Sequence, residues 1–199
     1  NKYYQMELAR KVGFLMPDFL VSNDREMIHQ FLLENASVVL KLLHQDFYKV
    51  SENKYQGFYV NKLDINDFNI FSEMGENPIF LQKYVEKKFE VRYTVVNDKH
   101  FACRIDSQLS EKTKYDWRRY DIPHTPHYKM FPPKEIQEKV TAFMNLANLK
   151  FGALDFIVTP ENNWFFLEVN TMGQWLWIEN LTALPISNAI ADFLIKSQK

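Results

Sequence analysis

Glycine is scarce in this chain of 199 residues, which contains only Gly13, Gly57, Gly75, Gly152 and Gly173. This is roughly a third of the frequency usual in globular proteins. No two of these glycines have the spacing of a dinucleotide-binding fingerprint or of a P-loop. If the protein binds a nucleotide, another kind of loop must hold the phosphates.

Cysteine, long apolar runs and excess charge are also lacking. The single Cys103 cannot form an internal disulfide. No apolar stretch approaches the roughly 20 residues of a bilayer span, and the first residues lack the pattern of a signal peptide. The net charge of -1 gives no general attraction to nucleic acid or to an anionic membrane. We therefore expect a cytoplasmic protein without these two partners, which recognises its ligand locally.

The hydrophobic pattern predicts an α+β protein with antiparallel sheets, because its strands pair mainly as hairpins with helices between them. Asn23 followed by Glu26 fits a capping box at the start of a helix through Glu34. Further helices are expected at 2–12, 67–74, 133–149 and 185–197. Strands are expected at 19–21, 38–43, 55–62 and 79–85, in hairpins over 89–106 and 152–169, and near 116–122 within a long polar loop.

The second hairpin brings two carboxylates together. If Thr159 pairs with Trp164, Asp155 lies directly opposite Glu168, and Asn170 follows on the same face. Adjacent carboxylates in apolar strands repel each other and lose hydration. Mg²⁺ would compensate, since it takes hard oxygen ligands of this kind. Solvated carboxylates on an exposed edge explain the same spacing equally well.

The first hairpin predicts an anion site. A three-residue turn after Val96 sets Arg92 opposite Arg104, with Glu90 and Asp106 on their face. Facing arginines suit phosphate, because the guanidinium group matches its geometry. The alternative is a solvated face on which the two carboxylates act as counter-charges.

Lys41 lies within the apolar run 38–43. A lysine in such a run is seldom unpaired. It either extends its ammonium to water from an edge strand or reaches a phosphate group.

Together these residues resemble the ATP-grasp superfamily, in particular RimK-like carboxylate-amine ligases. The resemblance is carried by Lys41 ending a strand, Gln-Lys-Tyr-Val at 82–85, Glu90-Val-Arg92, Arg104, Asp155, Glu168 and Asn170. The segment 167–186 is similar to the corresponding stretch of the ATP-grasp peptide maturases that make graspetides such as microviridins. The similarity covers most of the chain from about residue 20.

The resemblance implies an ATP-grasp fold in which ATP lies between two antiparallel sheets. In that pattern Lys41 contacts the α and β phosphates, and Glu90 holds the ribose. The adenine is received, largely by backbone groups, at Gln82, Lys83, Tyr84 and Val85.

The same resemblance implies the remaining site residues. Asp155, Glu168 and Asn170 would carry Mg²⁺, while Arg92 and Arg104 would lie near the γ-phosphate and an acyl-phosphate intermediate. A further element, Asp116-Trp-Arg118, looks like the Asp-x-Arg motif through which graspetide ligases engage the core peptide.

The resemblance also implies a domain organisation. Residues 1–20 are expected to be a remnant of, or linker from, an amino-terminal domain that is otherwise largely absent. The small ATP-grasp subdomain would then cover 21–86, and the large one, with the Mg²⁺ and substrate site, 87–199.

The sequence departs from the ATP-grasp pattern in one segment. Residues 44–56 contain no glycine, whereas many ATP-grasp enzymes cover the phosphates with a glycine-rich loop.

The leading hypothesis is a ligase that uses ATP and Mg²⁺ to form ω-ester or ω-amide links in a ribosomal precursor peptide. A RimK-like ligase that adds an amino acid to a protein tail or a small carboxylate is the second enzymatic reading. The third is a module that binds a nucleotide or peptide without turnover. A homodimer is possible, since related ligases commonly dimerise.

Overall fold

A computed structural model describes residues 2–41, 43, 47–51, 54–57, 60–72, 74–119 and 121–196. The α-helices are α1 (Lys2–Lys11), α2 (Arg25–Glu34), α3 (Lys134–Leu146), α4 (Leu176–Thr182) and α5 (Ile186–Lys196). The strands are β1 (Phe19–Ser22), β2 (Val38–Lys41), β3 (Phe47–Ser51), β4 (Lys54–Gly57), β5 (Lys62–Leu63), β6 (Ile79–Lys83), β7 (Phe89–Val96), β8 (Lys99–Ile105), β9 (His127–Met130), β10 (Phe151–Val158) and β11 (Trp164–Asn170).

The strands form two main sheets and one separate hairpin. The smaller main sheet has the order β1-β6-β2-β5, the larger has the order β11-β10-β7-β8-β9, and β3 pairs with β4. Every strand ladder in the described residues is antiparallel. The predicted α+β class with antiparallel sheets is confirmed.

The larger sheet is covered on both faces. One face packs its buried side chains, among them Val91 and Tyr93, against α1 and α3. The other face packs Cys103 and Ile105 against α4 and α5, through residues such as Ile178. Apolar helices on both faces explain why β7 is buried along its whole length.

Residues 2–16, which belong to the expected remnant or linker at 1–20, pack against this core. Met6 and Ala9 of α1 are fully buried, and Phe14 stacks on Phe166 with ring centroids 5.2 Å apart. Leu15 also forms an isolated parallel bridge with Phe165 of β11. The amino-terminal segment therefore supports the larger sheet directly.

The smaller sheet packs against α2 and a 3₁₀ helix at Ile65–Phe71, where the sequence predicted a short helix at 67–74. The cap of α2 is Asp24, whose side chain accepts from the amides of Glu26 and Met27, at 2.8 and 3.2 Å. The predicted cap Asn23 instead donates its side-chain amide to the carbonyl of Glu76.

Asp24→Ala is expected to lower the free energy of unfolding by about 1 kcal/mol, the usual cost of losing an N-cap. Asn23→Ala, which removes only an exposed hydrogen bond to Glu76, should cost less. Urea unfolding of both variants measures the difference. A larger loss in Asn23→Ala would contradict the assignment of the cap.

The loop between β8 and α3 contains short 3₁₀ helices and no strand at 116–122 among its described residues. These helices are Ser107–Leu109, Trp117–Arg119 and Ile122–His124, and they precede β9. Another difference is α4, an additional helix before α5. The predicted strand at 55–62 appears as the end of β4 and the start of β5. Outside the described residues lie Leu42 of the predicted strand at 38–43, residues 44–46 and 52–53 of the glycine-free segment 44–56, and residues 58–59 of the predicted strand at 55–62.

The register of β7 with β8 is one residue away from the prediction. The two strands turn through Asn97 and Asp98 alone, so Val96 pairs with Lys99 and Arg92 pairs with Cys103. Asn97 has a φ of 52°, a left-handed conformation that Asn tolerates. A slip of one residue reverses the face of a side chain. Arg92 and Arg104 therefore lie on opposite faces of the sheet.

In the hairpin of β10 and β11, the predicted turn is wrong, but the predicted pairing of Asp155 with Glu168 is correct. Trp164 pairs with Val158 instead of Thr159, but a β-bulge at Leu167 shifts the register by one residue between Phe156 and Asp155. Asp155 consequently lies opposite Glu168, as predicted.

None of the described helices is long and apolar enough to cross a bilayer.

Candidate functional site

A cavity lies between the two main sheets, next to the segment that connects β6 to β7. Its walls include most of the residues that the sequence singled out. These are Lys41, Gln82, Lys83, Tyr84, Val85, Glu90, Asp116, Arg118, Asp155 and Glu168.

The carboxylate pair lies on the wall formed by the larger sheet. Burial raises the pKa of Asp155 to about 7, despite the nearby Arg92, and the charge of Glu168 adds to the rise. Burial would also raise the pKa of Glu168, but Lys2, Lys41 and Arg118 outweigh it and hold that pKa below its ordinary value. The two neighbours thus differ in how readily they release a proton.

The donor set around Asp155 fits Mg²⁺. Nε of Arg92 lies 2.9 Å from Oδ1 of Asp155, yet neither buried atom has a hydrogen-bond partner with acceptable geometry among the described residues. Oδ1 thus retains acceptor capacity. Within the described part of the chain, no cluster of three or more His, Cys, Asp or Glu side chains could hold a metal. Mg²⁺ commonly binds through one or two carboxylates together with phosphate and water.

Asn170, the third predicted metal ligand, is placed less directly. Asn170 pairs with Ala153, and Glu168 pairs with Asp155. Because the two residues are two positions apart on β11, their side chains lie on the same face of the sheet. Its side-chain oxygen accepts from the amide of Met172 at 2.9 Å, and Asn170 is not among the residues that line the cavity. Its present contact shapes the turn after β11.

Cations surround Glu168. Nζ of Lys2 lies 3.4 Å from Oε2 of Glu168. Burial lowers the pKa of the Lys41 ammonium to about 8, while Glu168 acts in the opposite direction. Lys2, Lys41 and Arg118 all line the cavity. The convergence of these cations in one cavity suits a polyanionic ligand.

Lys2 was not identified from the sequence, although its spacing carried a signal. It precedes Met6 by four residues and Ala9 by seven, so all three lie on the buried face of α1. Gln5 fixes this helix to β11, since its side-chain amide exchanges two hydrogen bonds of 3.0 Å with the backbone of Val169. The ammonium of Lys2 is thereby held beside Glu168.

Asp116 orients Arg118 and ties the loop to the segment that precedes β5. Nε and Nη2 of Arg118 donate to the two carboxylate oxygens of Asp116, both at 2.9 Å. The same carboxylate accepts from the amide of Val60 at 3.0 Å. Burial alone would raise the pKa of Asp116, but the bonds from Arg118 hold it below its ordinary value. This fork presents Arg118 to the cavity in a fixed orientation.

The resemblance implies that backbone groups of the segment 82–85 bind the adenine, but two of its amides are already hydrogen-bonded within the protein. The amide of Lys83 donates to the carbonyl of Asp18 at 2.7 Å, and the amide of Tyr84 donates to that of Ser37 at 2.9 Å. Gln82 is 1% exposed, and its Nε2 has no hydrogen-bond partner among the described residues. An unsatisfied buried amide in a cavity wall is suited to a ligand.

Arg104 is not part of this site. Its guanidinium lies over the ring of Phe89, with 4.3 Å to the centroid, and its Nε donates to Asp106 at 2.6 Å. It lies on the face of the sheet opposite Arg92, so the predicted pair of arginines around one anion is wrong. Arg92 remains at the site through Asp155, with its guanidinium 5.0 Å from the ring centroid of Trp117.

Comparison with solved structures finds this arrangement of sheets in a known group. A ligase from Chryseobacterium gregarium, described as a RiPP-associated ATP-grasp ligase in complex with ADP and a leader and core peptide, is 30% identical with a TM-score of 0.90. The match covers 99% of this chain and 60% of that one. The chain shares the fold of this ATP-grasp ligase. Its expected α+β ATP-grasp fold is confirmed.

Two further ATP-grasp structures agree. Macrocyclase MdnC from Microcystis aeruginosa MRC, bound with the precursor peptide MdnA, is 30% identical with a TM-score of 0.86, covering 99% of this chain and 61% of that one. The ATP-grasp ligase PsnB, complexed with a precursor variant, Mg and ADP, is 20% identical with a TM-score of 0.76, covering 100% of this chain and 59% of that one; at this identity only the fold is shared.

The present chain spans about 60% of the length of these ligases. No family model and no curated protein matches the sequence.

Proposed function

We propose that this chain is the ATP-binding and catalytic part of a ligase that joins side chains within a ribosomally made precursor peptide. One observation carries the proposal. Lys2, Lys41 and Arg118 converge with the carboxylates Asp155 and Glu168 in one cavity between two antiparallel sheets. Cations around paired carboxylates suit a triphosphate and its divalent metal, and the fold shared with ATP-grasp ligases supports this interpretation.

The nucleotide would lie along the cavity from the segment 82–85 towards the carboxylates. Gln82 and Val85 are the groups that we propose for the adenine, since the amides of Lys83 and Tyr84 are already bonded. Glu90 would accept from the ribose hydroxyls. Lys2 and Lys41, a lysine pair of which only Lys41 was predicted, would neutralise the phosphates.

Asp155 and Glu168 would hold Mg²⁺, with Asn170 as a further ligand only if it gives up its bond to Met172. Bound Mg²⁺ would supply charge neutralisation at the phosphates. Arg92 lies against Asp155 and would fix the orientation of that carboxylate. We assign no role to Arg104 in this chemistry.

The γ-phosphoryl group would pass from ATP to a carboxylate oxygen of an Asp or Glu side chain in the peptide, giving ADP and an acyl phosphate. An amine or hydroxyl of the same peptide would then attack the acyl carbon, lose its proton and release phosphate. Positioning and charge stabilisation can carry both steps. No nucleophilic side chain of the protein is needed.

The peptide would enter beside Arg118, whose orientation by Asp116 suits recognition of a carboxylate. Support comes from the solved ligases, whose complexes contain a leader and core peptide or a precursor peptide. A homodimer of the complete ligase is part of this proposal.

Mass spectrometry of a candidate precursor peptide, incubated with the protein, ATP and Mg²⁺, tests the proposal. The expected result is the loss of one water mass for each ring, together with release of one ADP. Arg118→Lys should slow the reaction at least about tenfold. Lysine cannot form the two parallel hydrogen bonds by which Arg118 is held on Asp116. Lys134→Arg, a substitution on an exposed lysine of α3, is the control. An unchanged peptide mass without ADP release would favour a binding module.

A further inference from the structure

Lys87 is a buried lysine to which the proposed chemistry gives no role. It lies between β6 and β7, and its side chain is only 3% exposed. The ammonium donates to Oε1 of Glu90 and to the carbonyl of Tyr115, the latter at 3.1 Å. Both partners line the cavity. Burying an ammonium is costly unless it is paired and hydrogen-bonded, so this one stabilises a defined arrangement of its two partners.

Glu90 is the first partner. Burial raises its pKa, and the charge of Lys87 opposes that rise. Ser107 also hydrogen-bonds the carboxylate. An ionised carboxylate has about four lone-pair sites, so these two donors leave capacity for hydroxyl groups of a ligand. Lys87 therefore favours the charged form of Glu90 and limits its rotation.

Tyr115 is the second partner, and it immediately precedes the fork that presents Arg118. Asp116 holds Arg118 through both carboxylate oxygens and also accepts from the amide of Val60. The bond from Lys87 to the Tyr115 carbonyl fixes the start of this segment. The ammonium of Lys87 thus contacts both Glu90 and the segment that carries Arg118.

We propose that Lys87 is a positioning residue that sets the ribose-binding carboxylate Glu90 and the Arg118 segment relative to each other. The inference rests on the proposed function, because the ribose is part of it. Lys87 would act only through Glu90 and Tyr115.

Ribose selectivity tests this role separately from general stability. Calorimetric titration would compare Mg·ATP with Mg·2′,3′-dideoxy-ATP in wild type, Lys87→Met and Lys88→Met. Lys88 is a matched control, since it is the next residue, is exposed and donates its ammonium to the side chain of Asn162 at 3.3 Å, away from the cavity. Wild type and Lys88→Met should prefer ATP by roughly tenfold or more, as expected for hydrogen bonds to a charged group. Lys87→Met should bring the ratio close to one.

A second measurement needs no nucleotide and guards against misfolding. The double variant Lys87→Met/Glu90→Gln removes both buried charges together, so neither is left unpaired. Hydrogen exchange at the amides of Val60 and Arg118, both held by Asp116, should accelerate at least about tenfold if Lys87 fixes the segment. The melting temperature of this variant shows whether the fold is retained.

The outcomes separate the two proposals. If wild type discriminates the ribose and Lys87→Met does so equally, the role of Lys87 is overturned while the nucleotide site stands. Exchange at Val60 and Arg118 that stays at the wild-type rate in the double variant would also overturn it. If wild type binds neither nucleotide, the proposed function fails, and the role of Lys87 at the ribose fails with it.

Discussion

Asp155→Asn is expected to abolish the rise in melting temperature that Mg·ATP gives the wild-type protein. At a ligand concentration of 100 Kd, binding stabilises the native state by about 2.7 kcal/mol. For a chain of this size that corresponds to a rise of roughly 5–10 °C. The amide keeps the shape of the side chain but removes the negative charge of a carboxylate that lies opposite Glu168 in the sheet and whose Oδ1 has no hydrogen-bond partner among the described residues. Glu168→Ala should have the same effect, because it removes the other carboxylate.

The comparison needs a carboxylate that lies away from the cavity. Glu138 on α3 is exposed and pairs only weakly with Lys134, at 3.6 Å, so Glu138→Gln should retain the full rise. Omitting Mg²⁺ should remove the rise in the wild type. If Asp155→Asn and Glu168→Ala both kept the wild-type rise, the assignment of the metal site would be wrong.

The carboxylate pair was predictable because strands alternate faces with a period of two, and Asp155 and Glu168 stand out among apolar neighbours. The turn that the prediction used was nevertheless wrong by one residue. The β-bulge at Leu167 compensates for that error. No local sequence signal indicated the bulge. The predicted pair is therefore correct partly because the shift at the turn and the shift at the bulge cancel each other.

The arginine pair failed for the same physical reason without such compensation. A two-residue turn instead of a three-residue one moved Arg104 to the opposite face. The available signal was Asn97, since Asn tolerates the left-handed conformation that tight hairpins use. Hairpin patterns thus indicate pairing more reliably than they indicate the face of a particular side chain.

Lys2 and Lys87 show a different limit of sequence reasoning. Lys2 is placed by α1 packing against β11, and Lys87 by contact with Tyr115, which is 28 positions away in the chain. Such contacts depend on tertiary structure, which local periodicity does not encode. The family resemblance indicated the overall fold together with Lys41 and Arg118, whereas the positions of Lys2 beside Glu168 and of Lys87 beside Glu90 follow from the tertiary structure.

Gly173→Ala is expected to disrupt the turn after β11 and lower the melting temperature. A Cβ at this position would lie 2.5 Å from Cβ of Ala153 and 3.3 Å from Nη1 of Arg92. Ala153 is held in β10 between β7 and β11, so the turn must move instead. Overpacking of this kind costs about 1–3 kcal/mol, or roughly 2–12 °C for a chain of this size. Because Arg92 contacts Asp155, the Mg·ATP response should also weaken.

Steric rescue separates this cause from a general intolerance of alanine. Ala153→Gly removes the atom that clashes, so the double variant Gly173→Ala/Ala153→Gly should regain part of the lost stability, less the roughly 0.5–1 kcal/mol that a strand glycine costs. Gly75→Ala is the control, since no atom lies within 4 Å of its added Cβ. If Gly173→Ala melted at the same temperature as Gly75→Ala, the close approach of this turn to β10 would be refuted. Recovery in the double variant would instead show that the missing side chain at Gly173 lets the turn pack beside Arg92 and the carboxylates.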